Sequence, residues 1–125
     1  MVTRVNDDRV TAAYTTVLLV EDNDMVRTLL TRALERADHR VLTAADAERA
    51  LALVEDYEHH IDVVVSDVRL PSMGGVEFAE ELRRRDPELP VLLIGGFDTA
   101  ATGFPELEKP FTLDALQSKI AEIVH

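Results

Sequence analysis

Four charged residues, far apart in the 125-residue chain, are placed to do chemistry together. Glu21 and Asp22 follow the apolar run Val17-Leu18-Leu19-Val20, Asp67 closes Val63-Val64-Val65-Ser66, and Lys109 follows Leu107-Glu108. Three carboxylates in one crevice repel one another: two unit charges about 4 Å apart cost roughly 4 kcal/mol at an effective dielectric near 20. A hard, oxygen-seeking divalent ion, Mg²⁺ or Mn²⁺, relieves that repulsion, and Mg²⁺ favours one or two carboxylates completed by water and phosphate oxygens. A cation beside a carboxylate suits phosphoryl transfer, in which the ion and a lysine neutralise charge on the moving group. An aspartate can itself be the nucleophile and carry the group as an aspartyl phosphate. Asp67, between the acidic pair and the lysine, is the candidate for that role.

The elements between these residues determine whether they meet. Val17–Val20 and Val91–Ile94 are short runs apolar throughout and 61–65 is apolar but for Asp62, the pattern of parallel strands covered on both faces. Arg40–Thr43 and a segment near Leu107-Glu108 supply two shorter strands. Helical spacing separates them: Val26, Leu29, Leu30, Ala33, Leu34 and Ala37; then Ala47, Ala50, Leu51 and Val54; then Val76, Ala79 and Leu82; and finally Leu113, Leu116, Ile120 and Ile123. Asp24, Asp46 and Thr112 are the expected starts of the first, second and last helices. Strand and helix alternate with short connections, which specifies an α/β fold, a single doubly wound five-stranded parallel sheet with helices on both faces. Such sheets bind ligands outside the carboxyl ends of their strands, where strand order reverses. That is where Glu21, Asp22, Asp67 and Lys109 fall.

Composition narrows the function. The chain has room for one domain, expected over 15–125, with 1–14 an aperiodic arm or linker. With 13 basic against 24 acidic residues the net charge is −11, which disfavours nucleic-acid binding by this domain alone. Arg83-Arg84-Arg85 is the basic cluster and reads as a solvated helix end. No apolar run spans a bilayer and no signal pattern opens the chain, so membrane contact is not expected and a cytoplasmic location is. There is no cysteine, hence no thiolate metal site. His39, the pair His59-His60 and His125 lack any ligand-like setting.

The runs VLLVEDND, VVVSDVRLPSMGG and LEKPF, taken in order and spacing, resemble the response-regulator receiver family over residues 16–124. The resemblance implies a flavodoxin-like strand order 2-1-3-4-5 and a domain that takes a phosphoryl group from a histidine kinase or histidine phosphotransfer protein. It makes Asp67 the phosphoacceptor, Asp22 a direct metal ligand, Glu21 a ligand reached through water, and the backbone carbonyl of Arg69 a further ligand. Lys109 becomes the phosphoryl-contacting lysine, Pro110 a residue after a cis bond, and Gly75 a loop glycine needed for backbone geometry. The LEKPF ending and the short glycine-rich stretch look most like receivers of hybrid sensor kinases, although a free-standing regulator is equally allowed.

Two departures from the family stand out. Gly95 occupies the place of the usual serine or threonine, leaving only the backbone N–H groups of Gly95 and Gly96 to face a phosphoryl group. Thirteen residues separate Gly95 from Lys109, so the fourth helix of the family is expected to be short or missing. Glu106 replaces the aromatic switch residue, while Phe97 and Phe104 read as packing. Output through a different surface, or service as a phosphate relay or sink, is the expectation. A pseudo-receiver used only for protein binding is the alternative. An Asp-dependent phosphatase would place a second acid two residues beyond Asp67, where Arg69 stands, so at most slow self-dephosphorylation is expected.

Overall fold

A computed structural model describes residues 15–57, 60–96 and 102–124. In chain order these form β1 (Thr15–Val20), α1 (Asp24–Arg36), β2 (His39–Ala44), α2 (Ala47–Tyr57), β3 (Val63–Asp67), α3 (Gly75–Arg85), β4 (Val91–Gly95), β5 (Glu106–Glu108) and α4 (Leu113–Ile123). The strands pair in parallel in the order β2-β1-β3-β4-β5. The chain leaves β1 for β2 and then crosses back to β3, so the order reverses between β1 and β3.

Pleating explains why the strand runs are apolar without alternation. Successive side chains point to opposite faces, and both faces are covered. Leu18, Val20, Val64 and Leu93 pack with Ala47, Ala50 and Val54 of α2 and Phe78, Ala79 and Leu82 of α3. Val17, Leu19, Val63, Val65, Leu92 and Ile94 pack with Leu30 and Leu34 of α1 and Leu116 and Ile120 of α4. Neither face can be left wet, which fixes strand register: a slip of one residue would exchange the two sets.

The sequence expectations hold for the sheet and for the caps at Asp46, which accepts from the Arg49 N–H at 2.8 Å, and Thr112, which accepts from the Ala115 N–H at 3.0 Å. The first helix is capped differently. Asn23, not Asp24, is the N-cap, its Oδ1 accepting from the Val26 N–H at 2.9 Å. Asp24 is the first helical residue and pairs instead with Arg27. Strand three begins two residues later than expected and runs through Asp67, while strand four includes Gly95. On α1 and α4 the apolar stripes are wider than the core needs: Leu29 is 60% exposed and Leu113 52%. Phe78, not singled out from the sequence, is wholly buried. Among the described residues there are four helices. The 1–14 arm and Phe97 lie outside the described residues, as does most of the interval expected to hold a short fourth helix. Gly103 and Phe104, at its end, form a bend.

Candidate functional site

The carboxyl ends of β1 and β3 carry the acidic residues to the switch point. Glu21 leaves β1 with its N–H donated to the Ala44 carbonyl at 3.0 Å, and Asp67 is the last residue of β3. Carboxylate oxygens of Glu21, Asp22 and Asp67 lie within 4.8 Å of one another. Lys109, immediately after β5, is held by its N–H to the Gly95 carbonyl at 2.9 Å. From there its Nζ donates to Asp67 Oδ2 at 2.9 Å and stands 3.8 Å from Glu21 Oε1. The four residues singled out for chemistry therefore meet. The peptide between Lys109 and Pro110 is cis.

Burial makes this cluster electrostatically costly. Glu21 is 2% exposed; its Oε2 accepts from the Asn23 N–H at 3.0 Å, but its Oε1 has no hydrogen-bond partner. Lys109 is too distant from Oε1 to donate to it. Desolvation raises the Glu21 pKa to about 7; the Asn23 N–H opposes this, the facing Asp67 carboxylate adds to it, and the Lys109 charge opposes it. Partial burial of the Lys109 ammonium acts against its charge, yet the Asp67 hydrogen bond and the charges of Asp67, Glu21 and Asp22 outweigh burial and hold its pKa above the usual value. One ammonium thus serves three carboxylates. An orphaned buried oxygen among converging carboxylates fits a hard divalent cation better than it fits a structural ion pair.

The remaining residues singled out from the sequence divide. Arg69 turns its backbone N–H to Asp67 Oδ1 at 2.9 Å while its side chain is exposed. Gly95 faces the carboxylate: a Cβ there would lie 3.7 Å from Asp67 Oδ1 and 3.2 Å from the Val68 Cβ. Gly96 reaches the rim only, since a Cβ there would meet nothing within 4 Å. Gly75 has a role in close approach. A Cβ at this position would sit 2.3 Å from the Asp67 carbonyl oxygen and 2.7 Å from the Val68 Cα, so only glycine lets the start of α3 press against the strand end that carries Asp67. Its N–H donates to the Val68 carbonyl at 2.9 Å.

Several participants were not read from the sequence. Arg27 donates from Nη1 to the Glu21 carbonyl at 2.8 Å. Its signal was available: a cation in the first turn of a helix opposes the helix dipole and so calls for a partner. Glu106 accepts from the Thr102 N–H at 2.8 Å and its hydroxyl at 2.7 Å, and these bonds lower its pKa. Arg83, read as a solvated helix end, donates to the Gly103 carbonyl at 2.9 Å and lies 3.9 Å above the centre of the Phe104 ring. Lys109 also borders an apolar cleft of about 970 Å³ between α1 and α4, walled by Leu29, Ala33, Phe111 and Leu113 and edged by Arg32 and Arg36.

A doubly wound parallel sheet with an acidic crevice and one lysine at its switch point is the class that fold and site define. The chain belongs to the response regulator receiver domain family, whose model matches residues 17–121. It is 37% identical over 117 residues to the sensor kinase CckA of Brucella abortus (strain 2308), a match covering 87% of this chain and 12% of that protein. It is 38% identical over 114 residues to the transcriptional regulatory protein TcrA of Mycobacterium tuberculosis, covering 83% of this chain and 44% of that protein. The chain therefore spans less than half the length of these relatives. Among solved structures, the receiver domain of the hybrid histidine kinase CckA superposes with a TM-score of 0.78 at 33% identity, covering 88% of this chain and 99% of that one. The Vibrio cholerae chemotaxis protein CheY4 gives 0.81 at 30% identity, covering 90% and 100%. The chain is thus a receiver domain of the two-component signalling type.

Proposed function

We propose that this chain accepts a phosphoryl group on Asp67 from a phosphohistidine donor, in a reaction that depends on a divalent cation. The observation that carries this reading is the convergence of Glu21, Asp22 and Asp67 around an unpartnered buried oxygen, with Lys109 bonded to Asp67. An Asp67 carboxylate oxygen attacks phosphorus, an O–P bond forms, the N–P bond to the donor imidazole breaks, and the imidazole nitrogen leaves with the electron pair. Asp22 and Asp67 would hold Mg²⁺ or Mn²⁺ directly, Glu21 through water, and Arg69 through its carbonyl. When bound, such an ion supplies neutralisation of the phosphoryl oxygens. Lys109 releases Asp67 Oδ2 and carries its charge to the incoming group. On the β4 side Gly96 is the backbone donor proposed to meet it, because the Gly95 N–H faces β5 in the ladder whose next bond runs from the Lys109 N–H to the Gly95 carbonyl.

The donor is a histidine kinase or histidine phosphotransfer protein, and the cleft beside Lys109 is the apolar surface on which a donor helix would rest. Receivers act as signalling domains, and slow self-dephosphorylation is the most catalysis this site supports. A net charge of −11 argues against nucleic acid as a ligand of this domain. Among the described residues no helix is long and apolar enough to cross a membrane; a cytoplasmic setting follows from the proposed donor.

Gly95 favours a second reading, a pseudo-receiver that binds partners without phosphate, because the carboxylate faces a position with no hydroxyl. Intact mass after incubation with Mg²⁺ and acetyl phosphate separates the two. A single phosphoryl adduct on the native chain, lost in Asp67→Asn and in EDTA, is the expected result; an unmodified native chain supports the pseudo-receiver.

A further inference from the structure

The guanidinium of Arg27 is committed to the turn that carries the acidic pair. Nη1 donates to the Glu21 carbonyl at 2.8 Å, and Nη2 pairs with the Asp24 carboxylate. Asp24 is 90% exposed while the Arg27 side chain is 22% exposed, so the ion pair itself is worth little. The position is also electrostatically adverse, both to the dipole of α1 and to a cation entering the crevice. Neither the ion pair nor the charge explains the placement. What the side chain does is fix a backbone carbonyl.

That carbonyl matters because the Asp22 carboxylate is aimed by the backbone of its turn, which the Glu21 side chain also braces by accepting from the Asn23 N–H at 3.0 Å. Among the described residues no hydrogen bond or ion pair holds the Asp22 carboxylate, which is exposed. Its direction is inherited from the backbone of residues 21–24. The turn is anchored on one side by the Glu21 N–H to Ala44 and on the other by the Asn23 cap on Val26. The Arg27 bond is the side-chain restraint on the peptide that joins Glu21 to Asp22.

We propose that Arg27 is the positioning residue of the acidic crevice, clamping the Glu21 carbonyl so that Glu21, Asp22 and Asp67 converge on one cation. The inference rests on the metal reading given above. It predicts a sign that charge alone cannot give. Removing a nearby positive charge should tighten Mg²⁺ binding, whereas removing a clamp should weaken it.

The test uses the full chain, with Arg27→Met to keep the aliphatic stem and Arg27→Lys to keep the charge without the fork. Mg²⁺ alone is titrated against the backbone amide shifts of Asn23 and Asp67, with amide exchange and urea unfolding measured in EDTA. The expected result is a dissociation constant for Mg²⁺ raised about tenfold or more in Arg27→Met, the scale of lost outer-shell partners. Arg27→Lys should weaken binding nearly as much. In EDTA the Asn23 and Val26 amides should exchange faster in Arg27→Met while core amides such as Val64 keep their protection. Mg²⁺ binding that is unchanged or tighter in Arg27→Met overturns the proposal, as does a loss of protection spread evenly through the sheet. A native chain that ignores Mg²⁺ sinks the metal reading and this proposal with it; a native chain that binds, matched by Arg27→Met, sinks this proposal alone.

Discussion

Replacing Glu21 with glutamine should stabilise the metal-free protein above neutral pH while weakening its response to Mg²⁺. The carboxylate is buried with one oxygen unpartnered, and its pKa in the folded chain is about 7 against an ordinary 4.5. A folded-state pKa above the unfolded one means the folded chain holds the proton more tightly. The resulting stabilisation is complete below about pH 4.5 and is lost as pH rises through 7. At 1.36 kcal/mol per unit, the charged carboxylate lowers stability by roughly 3 kcal/mol at most by pH 8. Glutamine reproduces the protonated form: its carbonyl can accept from the Asn23 N–H and its amide can donate toward Asp67. The advantage of Glu21→Gln in EDTA should therefore grow from under about 1 kcal/mol near pH 5 to roughly 2–3 kcal/mol at pH 8, or about 6–12 °C in melting temperature for a domain of this size. Saturating Mg²⁺ should then raise the native melting temperature more than that of the variant, closing the gap. Urea and thermal unfolding at pH 5 and pH 8, with EDTA and with Mg²⁺, measure all of this. A variant less stable than the native chain at pH 8 in EDTA, or a native-minus-variant difference flat with pH, would refute the electrostatic argument on which the cation site rests.

Other outcomes follow from particular contacts. Gly75→Ala should lower stability by about 2–3 kcal/mol or more, because overpacking of this kind forces backbone to move and the new Cβ would lie 2.3 Å from the Asp67 carbonyl oxygen; an unchanged urea midpoint would contradict the close-approach account. Leu29→Glu and Leu113→Glu, on the exposed lip of the α1–α4 cleft, should leave modification by acetyl phosphate intact but slow transfer from a phosphohistidine protein; equal slowing of both would mean the site itself was damaged. Thr102→Val removes the hydroxyl that donates to Glu106 at 2.7 Å, so the Glu106 pKa should rise toward the ordinary value in an NMR titration. Because that pKa is depressed in the folded chain, the linked stability is present above the ordinary carboxylate pKa and fades as pH falls through the folded one, and the variant should lose less on acidification.

The sheet was legible because both of its faces are buried, which leaves Val17–Val20 and Val91–Ile94 no polar position to confuse the reading. The third strand, expected over 61–65, carries one polar residue, Asp62, and begins after it. The meeting of Glu21, Asp22, Asp67 and Lys109 was legible for the same reason, since a parallel sheet puts every strand's carboxyl end on one rim. Finer choices were not. Asn23 and Asp24 are both good caps, and only the dihedrals at the end of β1 select Asn23. Leu29 and Leu113 share a helical stripe with buried residues, and periodicity cannot say where the stripe outruns the core. Gly75 looked like a turn glycine, but its necessity comes from α3 lying against the Asp67 carbonyl, a contact between segments that no local pattern encodes.

Where local rules are broken, the breaks gather at one place. A carboxylate is buried without a partner at Glu21, a cation stands at the wrong end of a helix at Arg27, and a helix begins on the glycine at 75, hard against β3. Each is unfavourable or restrictive alone, and natural sequences concentrate such conflicts where function requires them. Glu106 and Thr102 show the contrast. There a charged residue at the start of β5 accepts two hydrogen bonds from its own loop, and Arg83 ties the same loop to α3 through Gly103 and Phe104. Among the described residues this segment makes no bond to Asp67, whereas Lys109 bonds Asp67 directly and borders the α1–α4 cleft. If a change at Asp67 is felt elsewhere in this domain, the covalent and hydrogen-bonded route leads through Lys109 toward α1 and α4 and away from the Thr102–Glu106 loop. Amide shifts on phosphorylation that are larger at Phe111 and Leu113 than at Gly103 and Phe104 would bear that out, and the reverse ranking would refute it.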